Sequence, residues 1–425
     1  MREMKDSCVS WIGTVPSDWI RKKVKNAVSL IGSGTTPASS CLQYYESEDV
    51  NWIQSGDIYG IDTIIKTNTM ISNAAVRSLS ALHVYNPDFI VVAMYGGSVG
   101  NIAISKIEAC VNQACCCIRT DNQNDLKFMY YWIYMCKSDF LRVSEGGGQP
   151  NISQAKIRNQ YYMQPPLAEQ RRIADFLDTK CAEIDALTAD IQTQIDTLEQ
   201  YKRSVITEAV TKGLNPDAEM KDSGIEWIGE IPATWNIIRG KYLLKYLQKP
   251  VKEDDGVITC FRDGEVTLRS NRREDGFTMS DKEIGYQGID VGDLVVHGMD
   301  GFAGAIGISD SRGKASPVLN VMDTKQNKRY IMYYLRSMAY SDVFVALATG
   351  IRVRSCDLRW NKLADLPYPV PNIEEQIAIV EYIDATLEKT DAVITEKKSQ
   401  IETLDEYKKS LIYEYVTGKK EVPSL

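Results

Sequence analysis

Histidine is nearly missing from this 425-residue chain: His83 and His297 are the only two. Among ten cysteines there is no C-x-x-C pair, so the clustered ligands at set spacing that a zinc site needs are lacking. Cys115, Cys116 and Cys117 stand together in the apolar stretch ACCCI and are expected to be buried thiols. No apolar run approaches the ~18–20 residues that cross a bilayer. The start, MREMKDSCVS, has no apolar signal core, and a cytoplasmic location is the expectation. No G-x-G-x-x-G follows a strand pattern. GISDSRGKAS (307–316) falls short of a phosphate loop: five residues separate its glycines where four are required, and Ala315 replaces Ser/Thr. Two histidines in 425 residues, one per half, make a duplicated histidine triad unattractive. There is no H-E-x-x-H and no Asn/Asp-Pro-Pro-aromatic motif. An enzyme reading has no residues to stand on, and no catalytic residue, metal or cofactor is expected in this chain.

What is present is written twice. KDSCVSWIGTVPSDW (5–19) returns as KDSGIEWIGEIPATW (221–235), with eight of fifteen positions identical. The stretch opening EQRRIADFLD and closing DTLEQYKRSVITEAVT (169–211) returns as EQIAIVEYID to ETLDEYKKSLIYEYVT (375–417). A period near 200 residues marks duplicated domains, not a solenoid. In the first closing segment Ile184, Leu187, Ile191, Ile195, Leu198, Tyr201 and Val205 recur every three or four residues. In the second, Leu387, Ile394, Ile401, Leu404 and Leu411 form the same kind of stripe. Prolines precede both segments and no Gly or Pro interrupts them, so each predicts a helix of roughly 65 Å at ~1.5 Å per residue. No single core buries a helix that long, and a coiled-coil pair is the expectation.

The intervening regions look β-rich. DFIVVAMYGGSVGNIAIS (88–105) and DLVVHGMDGFAGAIGIS (293–309) are matching strand–turn–strand stretches, each followed by a Tyr-rich helical piece, 126–135 and 329–338. The fold class is therefore α+β: two pseudo-repeated globules joined by two long coiled-coil helices. The boundaries are 1–163, a first globule with its Trp box; 164–213, a first long helix; 214–366, a second globule with the repeated box; and 367–425, a second long helix and short tail. Trp11, Trp19, Trp227 and Trp235 are expected to pin the chain as it enters each globule.

The net charge of −8 lies in the helices, at −3 for 164–213 and −5 for 367–425, while the globular regions carry +1 and −1. Each globule is free to carry a basic face. Phosphate and base-edge donors are the currency of DNA reading. The second region offers Arg262, Arg269, Asn271, Arg272 and Arg273, then Arg312 and Lys314, then Arg352 and Arg354 in GIRVRS (350–355). The first offers Thr35 and Thr36 in GSGTTP, Tyr44, Tyr45, Gln54 and Ser55 in NWIQSGD, Tyr95, Ser98, and Gly147, Gln149 and Asn151 in GGGQPN.

Taken together, the paired KDSxxxWIGxxPxxW boxes, the helix starts PPLAEQRRIADFLD and PNIEEQIAIVEYID, and the ends LEQYKRSVITEAVTKG and LDEYKKSLIYEYVTGK resemble the specificity (S) subunits of Type I restriction–modification enzymes over nearly the whole chain. The resemblance implies two target recognition domains, each reading one half of a split, asymmetric DNA site. It implies that the helices pack antiparallel and set the unread spacer. It also implies partners: double-stranded DNA, two methyltransferase (M) subunits carrying S-adenosylmethionine, and, where present, two restriction (R) subunits using ATP and Mg. The S chain itself does no chemistry. The alternatives are a self-sufficient DNA-modifying enzyme and a coiled-coil scaffold.

Overall fold

The computed structural model describes residues 2–142, 151–272, 284–347 and 358–423. The chain divides into two compact units. The first joins Met1–Asp190 to Gln400–Leu425; the second is Ile191–Ser399.

In the first unit, strands β1 (Val28–Ser33), β2 (Phe89–Ala93), β3 (Ile102–Ser105) and β4 (Cys115–Thr120) lie in the order β1-β4-β2-β3, all antiparallel. The short strand Thr63–Ile64 adds a parallel edge beside β3. β2 is a run of β-branched and aromatic residues buried on both faces. Its partner β4 places Cys115, Cys116 and Cys117 opposite Ala93, Val92 and Val91. All three thiols are fully buried, and burial pushes Cys116 up to about 12. Helix α1 (Leu126–Met135) starts where the Asp125 carboxylate accepts from Lys127 N and Phe128 N, both at 3.0 Å. Phe128, Trp132 and Tyr162 form the aromatic centre of the core.

The second unit repeats this frame. Strands β5 (Leu244–Tyr246), β6 (Leu294–His297), β7 (Ile306–Ile308) and β8 (Leu319–Thr324) run in the order β5-β8-β6-β7, again antiparallel. Asn327 caps helix α3 (Lys328–Tyr340) as Asp125 caps α1.

Each unit is closed by its Trp box. Met4–Asp6 pairs with Thr14–Pro16, and Met220–Asp222 with Glu230–Pro232. Trp19 and Trp235 are fully buried, and their indole N–H groups donate to Glu169 (3.2 Å) and Glu375 (2.9 Å). Lys5 donates to the carbonyls of Ser17 and Trp19, and Lys221 to those of Ala233 and Trp235. Pinning belongs chiefly to these second tryptophans of each box: Trp11 is only half-buried and Trp227 is exposed. The short tail closes on the first box. Gly418, with φ +68°, leaves no room for a Cβ against Pro16, and Tyr413 donates to the carbonyls of Trp11 and Ile12. Gly213, φ +76°, lies beside Trp235 in the second unit, where a Cβ would come within 3.2 Å of the ring.

Helix α2 spans Leu167–Lys212 and helix α4 spans Ile373–Val416. Within the first unit Lys408 pairs with Asp185 (2.7 Å) and Phe176 stacks on Tyr415 at 4.5 Å, so the helices run antiparallel. Within the second, Lys202 pairs with Asp391 (2.5 Å) and Lys397 donates to Gln194, again antiparallel. Ile184, Ile191, Ile195, Val205, Ile394 and Leu411 are buried, while Leu198, Leu387, Ile401 and Leu404 are half-buried. Leu187 and Tyr201 depart from expectation: each is 48% exposed. The seam follows a strict heptad through 181, 184, 188, 191, 195, 198, 202 and 205, which seats Thr188 and Lys202 where Leu187 and Tyr201 were expected.

Candidate nucleic-acid interface

In the first unit, the loop after β1 is held close to the sheet. A Cβ on Gly34 would lie 1.7 Å from the Val111 carbonyl oxygen, so only glycine fits. Thr35 is half-buried and Thr36 is exposed, its hydroxyl bonded to Gln113 Oε1 at 2.5 Å. Tyr44 and Tyr45 pack against the small cluster around Trp52. Tyr45 meets Trp52 edge-on and donates to the Pro37 carbonyl at 2.8 Å. Burial raises its pKa, and packing is the job the geometry gives it. Gln54 and Ser55 open a single 3-10 turn. Asp57 accepts from Gln54 N at 2.8 Å and from Asn68 Nδ2 at 2.7 Å, while Gln54 Nε2 donates to Thr69. Tyr95 and Ser98 sit in the β2–β3 turn, and Tyr95 bridges to Asn151, bringing two segments far apart in sequence side by side. Both Tyr95 and Asn151 are exposed.

In the second unit, the hairpin Ile258–Cys260 with Val266–Leu268 carries Arg262 at its tip. Arg262 is exposed and pairs with Asp300 (2.9 Å) in the β6–β7 turn, the counterpart of the Tyr95 turn. Arg272 lies over the Phe261 ring at 4.2 Å and pairs with Asp263 (2.7 Å). Arg269 donates to Thr259, and Asn271 to Thr267. His297 Nδ1 accepts from Met299 N (3.2 Å) and Asp300 N (2.9 Å), which orders the turn. Burial lowers its pKa.

Arg312 has a different environment from the other arginines. It bonds Asp255 through Nε (3.0 Å) and Nη2 (2.8 Å), Asp290 through Nη1 (2.5 Å), and the Pro250 carbonyl. Asp290, bonded by Lys249 as well as Arg312, is held down at about 2. This arginine clamps two loops to the sheet. Lys314 follows it on a strand paired to Gln287–Ile289. Gly147, Gln149, Arg273, Arg352 and Arg354 lie outside the described residues.

Two aromatic residues went unnoticed in sequence. Tyr59 is 74% exposed beside Gly60, and Tyr242 is 78% exposed with the Lys241 ammonium 5.1 Å over its ring. Exposed tyrosines next to glycine or lysine suit stacking on bases or sugars. Among the described residues no group of three potential metal ligands exists, and no helix is long and apolar enough to cross a membrane.

Residues 16–197 match the family described as Type I restriction modification DNA specificity domain. The MjaVIII Type I restriction enzyme specificity subunit of Methanocaldococcus jannaschii is 23% identical over 434 residues, covering 97% of this chain and 95% of that protein. The EcoKI specificity subunit of Escherichia coli is 26% identical over 213 residues, 47% of this chain and 44% of its own length. A solved chain from a study of complex assembly and conformational transition of the type I R-M system superposes with a TM-score of 0.69 at 13% identity, covering 96% of this chain and 99% of that one. Residues 16–197 therefore match a Type I restriction modification DNA specificity domain, and over nearly its whole length the chain is similar to proteins named as Type I specificity subunits.

Proposed function

We propose that the chain is the DNA-reading, non-catalytic component of a Type I restriction–modification system, with each unit's recognition domain reading one half of a split, asymmetric site. One observation carries the reading: an identical strand order, β1-β4-β2-β3 and β5-β8-β6-β7, is accompanied in the two units by unlike sets of loop residues. The first set is polar and aromatic, with Thr36, Tyr95 and Asn151. The second holds arginines paired with carboxylates, Arg262 with Asp300 and Arg272 with Asp263 and Glu265. Equivalent frames with different donors suit two different half-sites, because donor and acceptor patterns in the major groove distinguish base pairs.

The long helices support the remainder of the reading. At 46 and 44 residues they are stiff where a Gly/Ser linker would be slack, which suits an unread spacer of fixed length. Methylation and cleavage belong to partners. Two M subunits bring S-adenosylmethionine and modify adenine, and R subunits, where the system has them, bring ATP and Mg. The working location is the cytoplasm.

Co-expression of the chain with its M subunit, followed by genome-wide mapping of methylated adenines, tests the reading. A bipartite motif with two unlike halves around a constant gap is the expected result. A contiguous or palindromic motif contradicts it.

A further inference from the structure

In each unit the recognition domain is fastened to its own long helix by two side chains that the sequence repeats. Gln170 and Gln376 follow directly on Glu169 and Glu375, stand 206 positions apart, and are fully buried. Gln170 Oε1 accepts from the Asp125 N–H (2.8 Å) at the cap of α1, and its Nε2 donates to the Pro165 carbonyl (2.9 Å). Gln376 Oε1 accepts from the Asn327 N–H (2.9 Å) at the cap of α3, and its Nε2 donates to the Pro371 carbonyl (2.9 Å). A carboxamide supplies acceptor and donor without a charge, which neither an ionised glutamate nor a leucine can do. Eight residues on, about 12 Å along the helix, Asp178 and Asp384 make a second tie. Asp178 accepts from the Tyr131 hydroxyl (2.8 Å) and pairs with Lys127. Asp384 accepts from the Tyr333 hydroxyl (2.5 Å) and pairs with Arg329 (2.6 Å). One tie leaves a helix free to pivot, whereas two ties fix its direction.

The far end of each short helix holds a turn of the proposed reading surface. Arg336 of α3 donates to the Ile306 carbonyl of β7 (2.8 Å) and to the Asp263 carbonyl (3.2 Å), beside Arg262 at the hairpin tip. Lys137, two residues past α1, donates to Asn101 Oδ1 (2.8 Å) in the β2–β3 turn that carries Tyr95 and Ser98. Between these ends the helices are locked in the cores: Phe128 and Trp132 of α1, and Tyr330 and Tyr334 of α3, are fully buried. A close-packed interior passes on a displacement and does not absorb it. Each short helix is thus a strut running from the long helix to a candidate DNA-facing turn. The polar ties add direction, because a hydrogen bond weakens steeply off its preferred angle.

We infer that Gln170 with Asp178, and Gln376 with Asp384, are positioning residues that set the pose of each recognition domain on its own long helix, and that Lys137 and Arg336 hold the reading turns to that pose. The two ends of each strut have separable roles. The ties to the long helix fix where a half-site falls, and so the gap. The ties to the turn fix the shape of the reading surface, and so the bases. Loosening the first lets the recognition domain rock as one body with its turns intact. Loosening the second disturbs the turns of a domain that stays in place. The inference rests on the proposed function and adds the side chains that hold each half-site in register.

The experiment uses the full chain co-expressed with its M subunit. Methylated adenines are mapped genome-wide, and the purified complex is titrated against duplexes whose gap is correct, one base pair shorter or one base pair longer. Gln376→Leu and Asp384→Ala are each expected to lower the preference for the correct gap on the order of tenfold, with the bases of both half-sites unchanged. Arg336→Met, which keeps the apolar stem, is expected to relax the bases of one half-site and leave the gap fixed. Asp178→Ala and Lys137→Met should repeat this split on the other half-site. Urea titration records the stability of each variant, and the half-buried Asp384 provides a test that does not depend on opening the core at Gln376. A wild-type gap preference in Asp384→Ala would overturn the inference and leave the DNA-reading role intact, whatever the loss of stability. So would an Arg336→Met chain that shifts the gap and keeps the bases. A wild-type motif that is not bipartite would overturn the proposed function itself.

Discussion

At the scale of single residues, arginines of one sequence type do different work. Arg312 and Arg262 look alike in sequence, each beside a turn. Arg312 is held by Asp255 and Asp290, partners 57 and 22 positions away, so nothing in its neighbourhood reveals a clamp. Arg262 is exposed, with one partner at the surface. Arg312→Ala should therefore destabilise the second unit by about 1–3 kcal/mol in urea titrations, since the buried Asp255 loses its counter-charge and Asp290 is left with Lys249 alone. Arg262→Ala should stay within about 0.5 kcal/mol of wild type. If Arg262 reads DNA, its loss should cost about 1–3 kcal/mol of specific binding and relax one base position. His297 gives a prediction with a sign. Its folded pKa lies below the ordinary ~6.5, so the unfolded chain binds more protons as pH falls and stability rises with pH. Its contribution is complete above ~6.5 and is lost as pH drops through the lower folded value. Thermal melts from pH 8 to 5 should show that loss, and His297→Asn, which keeps an acceptor for the turn but does not titrate, should flatten it.

At the scale of elements, the sequence was legible wherever a residue pattern repeated and opaque wherever polar groups entered a core. The α1 and α3 helices, the strand–turn–strand stretches and both long helices were readable, because capping residues, β-branched runs and unbroken apolar stripes act locally. The seam was misread at Leu187 and Tyr201. Spacings of three and four both fit a stripe, and a preference for apolar residues passes over Thr188 and Lys202. Lys202 occupies the seam because its stem packs there while its ammonium reaches Asp391 and Glu199. This predicts an asymmetry. Lys202→Leu should be neutral or mildly stabilising, since the seam gains an apolar residue and the exposed Asp391 remains hydrated. Asp391→Ala should cost about 0.5–1 kcal/mol, because the half-buried ammonium loses its cross-helix partner. Asp391→Ala should melt below wild type, and Lys202→Leu at or above it. The equivalent Lys408 and Asp185 should behave alike.

At the scale of the whole molecule, duplication is the organising fact. Internal repetition exposed both halves of the architecture, including the boxes whose Trp19 and Trp235 anchor the chain entries, with no knowledge of the fold. It is silent about the proposed reading surface, which on that proposal lies where the two halves diverge. The account therefore meets its most direct test in exchanging residues 20–163 for the matching region of another specificity subunit, co-expressing the chimera with the M subunit, and mapping methylated adenines. One half of the methylated motif should change while the other half and the gap stay as they were. A motif that stays the same, or one in which both halves change, would contradict the claim that each unit reads its own half-site.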